Sequence, residues 1–179
     1  MAAATRRLQV CAHPFLVAPA AERLVDPVEC CPKLARTLEL LRDVRARGEK
    51  ALVFARWISL QYLLSEVFAE QLDVDPFVLN GGVPAVQRQL QIDRFSRQPG
   101  FQVMILSPRA CGMGLNITVA NHVIHYTREW NPAIESQATD RVYRIGQERD
   151  VVVHHPVVRT PAFSTTEERL DALLREREQ

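Results

Sequence analysis

Gln137, Arg141 and Arg144 stand four and then three residues apart in the run Gln137-Ala138-Thr139-Asp140-Arg141-Val142-Tyr143-Arg144-Ile145-Gly146-Gln147. On a helix this i, i+4, i+7 spacing puts all three on one face. Arginine is always charged, and its planar fork matches phosphate oxygens. Two such forks side by side ask for a strong anion or for several carboxylates opposite them. The chemistry implied is phosphoryl transfer, with the arginines as one half of a site whose other half lies outside this chain. The structural alternative is a set of surface salt bridges to Glu135, Asp140 or Glu148.

A second candidate is the loop Ser107-Pro108-Arg109-Ala110-Cys111-Gly112-Met113-Gly114-Leu115-Asn116. Two glycines after a strand let backbone N–H groups come close to a phosphate or ribose, and Ser107 and Arg109 add a hydroxyl and a charge. A G-x-G loop is equally a plain turn, and no third glycine completes a dinucleotide fingerprint. In Glu129-Trp130-Asn131-Pro132, Asn131 can cap a helix that starts on Pro132, and Trp130 reads as core packing. That helix carries the arginine pair. The sequence has no G-x-x-x-x-G-K-[ST] loop, no acidic magnesium partner after a strand, no G-x-S-x-G elbow and no defensible inward pair of carboxylates. His125, His154 and His155 read as packing or solvent-facing residues.

The elements that must position these residues alternate in kind. Helical periodicity runs over 33–47, 58–71, 84–97, 132–144 and 165–177, with Arg88, Arg94 and Arg97 on the polar side of the third run. Short apolar runs of strand length occupy 51–55, 77–79, 103–106, 122–126 and 151–157. This alternation predicts an α/β fold with a mainly parallel sheet flanked by helices. In such sheets ligands gather beyond the carboxyl ends of the strands, where Arg56-Trp57, Asn80-Gly81-Gly82, Ser107 to Asn116 and Thr127 to Pro132 fall. Both the Gly-rich loop and the arginine-bearing helix follow strands, so both are expected at that edge. Residues 1–32, with prolines at 14, 19, 27 and 32, read as an irregular lead-in packed on the lobe. Residues 33–160 form the lobe, and 161–179 close the chain as an amphipathic helix.

Composition narrows the class. The chain has 179 residues, 47% of them hydrophobic, which is enough for one domain with a real core and argues against disorder. A net charge of +1 announces no global basic field, so any nucleic-acid contact must be local. Of the 22 basic residues 20 are arginine, a bias that suits phosphate recognition but is equally a product of genome composition. Cys11, Cys30, Cys31 and Cys111 form no C-x-x-C pair and no zinc spacing, so they read as reduced thiols and no metal site is expected. No apolar run reaches about 18 residues, so no membrane contact is expected.

The motifs together resemble the second, C-terminal RecA-like lobe of Swi/Snf-type ATPases of helicase superfamily 2, over nearly the whole chain. Leu8 to Phe15 is similar to the entry segment ending in Cys-x-His-Pro. Lys50 to Trp57 resembles the fourth helicase motif, and Leu79 to Pro84 with Arg88 and Asp93-Arg94-Phe95 the block that follows. Ser107 to Asn116 resembles the fifth motif, Trp130-Asn131-Pro132 its extension, and Gln137 to Gln147 the sixth. Thr127, Glu129, Arg56, Asn80 and Tyr143 depart from the commoner choices.

The resemblance implies a RecA-like three-layer fold and a role for each matched position. Arg141 and Arg144 would be arginine fingers that stabilise charge on the transferring phosphoryl group. Gln137 would sense the nucleotide, and Gly112, Gly114 and Asn116 would couple nucleotide to DNA. Arg56, Trp57, Asn80, Gly81, Ser107 and Arg109 would touch DNA backbone. ATP and Mg²⁺ would be held mainly by the first lobe. The partners implied are double-stranded DNA and the N-terminal RecA-like lobe of the same protein, in a bacterial cytoplasm and associated with the nucleoid. Two functions follow. One is the second lobe of a DNA-dependent ATPase that translocates on duplex DNA or remodels protein–DNA complexes, this chain alone being inactive. The other is a free-standing module that holds DNA or a partner without catalysis.

Overall fold

The computed structural model describes residues 2–19, 24–109 and 116–177. Among them, five strands form one parallel sheet: β1 (Lys50–Phe54), β2 (Phe77–Leu79), β3 (Gln102–Leu106), β4 (His122–His125) and β5 (Val152–His154), in the order β2-β3-β1-β4-β5. The register runs Ala51 beside Val103 and His122, and His122 beside Val152.

Successive side chains of a strand point to opposite faces, and both faces here are covered. Ala51, Val53, Val103, Ile105 and Ile124 pack under α2 (Pro32–Ala46) and α3 (Ile58–Leu72), through Leu34, Leu38, Leu41, Leu60, Leu64 and Phe68. Leu52, Phe54, Met104, Leu106 and Val123 pack on the other side under α4 (Ala85–Arg97) and α5 (Pro132–Thr139), through Ile92, Phe95 and Ala138. The result is the expected RecA-like three-layer α/β fold. Helix ends follow local chemistry. Gly48, at φ +66°, takes the left-handed conformation that stops α2, and the Glu49 N–H donates back to Val44. The buried Lys50 ammonium caps the far end of α4 by donating to the carbonyls of Phe95 and Ser96.

The lead-in departs from its irregular reading. Its first part is α1 (Ala2–Ala12), an alanine-rich helix whose Leu8 packs against Leu170 and Leu174 of α6 (Thr166–Arg177) and against Trp57. Its return is pinned where Tyr126 donates to the Ala12 carbonyl at 2.8 Å. Lys33 of α2 forms a buried ion pair with Glu167, which ties α6 to the lobe as well.

The helix expected over 132–144 is shorter. It starts as expected, with the Asn131 side chain accepting from the Ala133 N–H, but ends at Thr139. Beyond that point Arg141 and Val142 donate to carbonyls three residues back, so the chain tightens into turns. The Ile117 N–H claims the Arg141 carbonyl, Val142 turns into the core, and Gly146 adopts φ +103°. The hydrophobic pull on Val142 and the pairing with Ile117 outweigh continuation of the helix. The shared helical face of Gln137, Arg141 and Arg144 is therefore not formed.

Candidate functional site

At the carboxyl edge of the sheet the loops are stitched to one another in strand order. Ser107 N–H donates to the Leu79 carbonyl, Ala55 N–H to Leu106, and Thr127 N–H to Phe54. Thr127 Oγ1 in turn accepts from the Arg56 N–H at 3.0 Å. These bonds gather Arg56, Asn80, Gly81, Ser107 and Arg109 onto one rim, as the sequence predicts.

Individual side chains on the rim differ. Arg109 and Gly81 are exposed, and Arg56 is partly so. The guanidinium of Arg56 sits over the Trp57 ring, 5.8 Å from its centre. Trp57 is half-buried against Leu8 and the α6 leucines, so it supports Arg56 more than it reaches outward. Asn80 is buried, and its Oδ1 accepts from Gly82 N–H to shape the turn after β2. Arg88, placed by sequence on a polar helix face, is buried and donates to the carbonyls of Val83 and Gly81 in that same turn.

The paired arginines lie elsewhere. Arg141 adjoins Ile117, and the side-chain amide of Gln147 donates to the carbonyls of Thr118 and Ala120, just ahead of β4. They therefore belong to the flank by the 116–120 segment and not to the rim, because the chain has run back along α5 before reaching them. Arg141 is only 6% exposed, and its Nε has no hydrogen-bond partner among the described residues. Arg144 is exposed and lines an open cleft with Tyr143, Gln147 and Arg149. Gln137 and Asn116 are exposed, on α5 and beside Ile117. Gly112 and Gly114 lie outside the described residues.

Several residues of the site were not foreseen. Glu135 does not serve the paired arginines at the surface. It is buried and takes Arg128 Nε at 3.0 Å on each oxygen, the Glu129 N–H at 2.6 Å, and His155 at 3.7 Å. Arg128 also pairs with Asp171 of α6, so one guanidinium joins the loop after β4 to both helices. Inward carboxylates do exist, then: Glu129, Glu135, Glu167 and Asp171 are all buried. Burial opposes ionisation of Glu135, yet the neighbouring His155 and the hydrogen-bonded Arg128 outweigh it and hold its carboxyl at about 2. Trp130, read as core, is 47% exposed next to this network. His125 is buried, stacked on Phe54 and on His155, and bonds Thr139 at 2.9 Å. The one local signal for the network was the Arg128-to-Glu135 interval, which crosses the helix start and so carries no periodicity.

No cluster of three or more His, Cys, Asp or Glu among the described residues is arranged to hold a metal. No helix among them is long and apolar enough to cross a membrane. Cys11, Cys30 and Cys31 are free, and burial pushes each thiol above its ordinary range.

Comparison with known proteins agrees with this architecture. Residues 32–146 match the helicase conserved C-terminal domain. The chain is 42% identical over 174 residues to the Zorya protein ZorD of Escherichia coli O139:H28, covering 94% of this chain and 16% of that protein. It is 39% identical over 171 residues to the putative ATP-dependent helicase/translocase YwqA of Bacillus subtilis, covering 94% of this chain and 18% of that one. It thus spans less than a fifth of either relative. Among solved structures, the Sulfolobus solfataricus SWI2/SNF2 ATPase core in complex with dsDNA superposes with a TM-score of 0.75 at 32% identity, over 94% of this chain and 34% of that one. The chain belongs to the helicase conserved C-terminal domain family, as the C-terminal RecA-like lobe of a Swi/Snf-type superfamily 2 ATPase.

Proposed function

We propose that this lobe works as half of a double-stranded-DNA-stimulated ATPase that translocates on duplex DNA or remodels protein–DNA complexes. The observation that carries the reading is Arg141. A guanidinium so deeply buried, with its Nε unpaired among the described residues, is costly until an acceptor completes it, which suits a residue that waits for an anion. The phosphates of ATP, held with Mg²⁺ mainly by the first lobe, fit that requirement. Arg144, exposed in the adjoining cleft, would be the second finger. Gln137 would sense the nucleotide from α5, and Asn116, with Gly112 and Gly114, would couple nucleotide to DNA.

The rim of Arg56, Gly81, Ser107 and Arg109 supplies the second surface, for duplex backbone, with Trp57 and Asn80 shaping it from beneath. Phosphate contacts of this kind position a protein without reading sequence. Closing the two lobes around ATP would assemble the catalytic site, and hydrolysis would release them. A cytoplasmic, nucleoid-associated setting in a bacterium fits this work. The test is ATP hydrolysis by the full-length protein with and without duplex DNA. DNA should stimulate it, while the 179-residue chain alone should show none. Hydrolysis by the isolated chain at the full-length rate, or a full-length protein indifferent to DNA, would overturn the reading.

A further inference from the structure

Glu129 is out of place on a surface meant for phosphate. It sits at the carboxyl rim, directly after Thr127 and Arg128, and is only 3% exposed. One of its oxygens, Oε1, is buried with no hydrogen-bond partner among the described residues. The other, Oε2, lies 4.0 Å from Nη1 of Arg56. That distance is within strong electrostatic reach but beyond a hydrogen bond. Arg109 adds its positive charge from the loop after β3. A carboxylate that needs structural anchoring is normally saturated with donors, as Glu135 is a few residues on. Glu129 is instead half-satisfied, and its looser partner is one of the cations of the rim.

We propose that Glu129 is a built-in rival of the DNA backbone for Arg56. Its carboxylate holds the guanidinium in register over Trp57 while the rim is empty, and it yields that guanidinium to a phosphate when duplex DNA arrives. The inference rests on the reading of this rim as a DNA-backbone surface. Three features favour exchange over a permanent pair. The contact is loose, Arg56 is part-exposed where a phosphate can reach it, and the ring beneath keeps the guanidinium in place as its anion changes. Burial raises the Glu129 carboxyl, and the charges of Arg56 and Arg109 pull it back, so its ionised form depends on the cations that DNA would take. A resident rival lowers affinity, which suits a lobe that must let go of one phosphate before gripping the next.

The experiment is a double-mutant cycle on equilibrium binding of a random-sequence duplex to the full-length protein, with Glu129→Gln, Arg56→Ala and the pair together. Glu129→Gln keeps the shape of the side chain and should tighten binding roughly fivefold, the equivalent of about 1 kcal/mol for release of a loose, part-buried ion pair. The slope of log affinity against log salt should stay that of the parent, because Arg56 meets the same phosphate in both proteins, and should flatten by about 0.9 in Arg56→Ala, which loses that one contact. In the Arg56→Ala background the same change should have no effect. Unaltered affinity in Glu129→Gln, or a gain that persists without Arg56, overturns the proposal while leaving the DNA-backbone reading intact. An Arg56→Ala protein that binds DNA as well as the parent takes down both. Urea unfolding of each variant identifies any loss that comes from folding.

Discussion

Arg128 holds Glu135 with Nε 3.0 Å from each carboxylate oxygen, and both side chains are buried. Nη1 of Arg128 donates to Asp171, and Glu135 also receives the Glu129 N–H and has His155 beside it at 3.7 Å. Four elements, the loop after β4, α5, the end of β5 and α6, thus meet on one ion pair lying beneath the candidate DNA rim.

Removing one partner of such a pair strands a buried charge. Glu135→Ala leaves Arg128 half-paired and an amide without its acceptor, so unfolding stability should fall by about 3–5 kcal/mol. That corresponds to a melting temperature lower by about 10 °C. Arg36→Ala breaks the exposed pair with Glu39, and should change stability by less than about 0.5 kcal/mol. Urea unfolding of the two variants checks the contrast. Equal losses would mean that burial is not what gives the Arg128–Glu135 pair its weight.

Acid should destabilise the lobe in two stages. Burial, with the charges of His155 and Arg128 adding to it against that of Glu135, lowers His125 from 6.5 to about 4. The unfolded chain therefore binds a proton that the folded chain refuses. Stability from this group is full above pH 6.5 and is lost as pH falls toward 4, by about 3 kcal/mol in all. Glu135, held at about 2 against 4.5 when unfolded, keeps its contribution above pH 4.5 and loses it below. Urea unfolding at pH 7, 5.5 and 4 should show the first stage, and His125→Phe should flatten it. A variant with the parent slope would remove His125 as the cause.

The arginines should separate turnover from DNA binding. Arg144→Ala in the full-length protein is expected to lower ATP hydrolysis by about 10³-fold, the scale of an arginine finger, with duplex affinity nearly unchanged. Arg141 is buried, so Arg141→Lys is the cleaner change there, keeping the charge while losing the fork. It should reduce turnover at unaltered melting temperature. Parent turnover in Arg144→Ala would exclude that residue from the nucleotide site.

Alternating helical and strand periodicities, the turns after each strand and the helicase motifs are local patterns, and they determined the parallel α/β lobe, its family and the residues of the rim. Each of these rests on neighbours within a few positions, where backbone geometry and burial leave a period that can be read directly. Where α5 stops was decided by tertiary structure, because Val142 gains more from the core and Arg141 from Ile117 than from another helical turn. The same holds for the separation of Arg141 and Arg144 from the rim, since i, i+4, i+7 spacing describes a helix only while the helix lasts. The buried network is furthest from sequence. Arg128 and Asp171 are 43 residues apart, and nothing in a string of charged residues tells which will lose their water. That depends on what folds over them, and here it left Glu129 almost without solvent beside a guanidinium it does not fully hold.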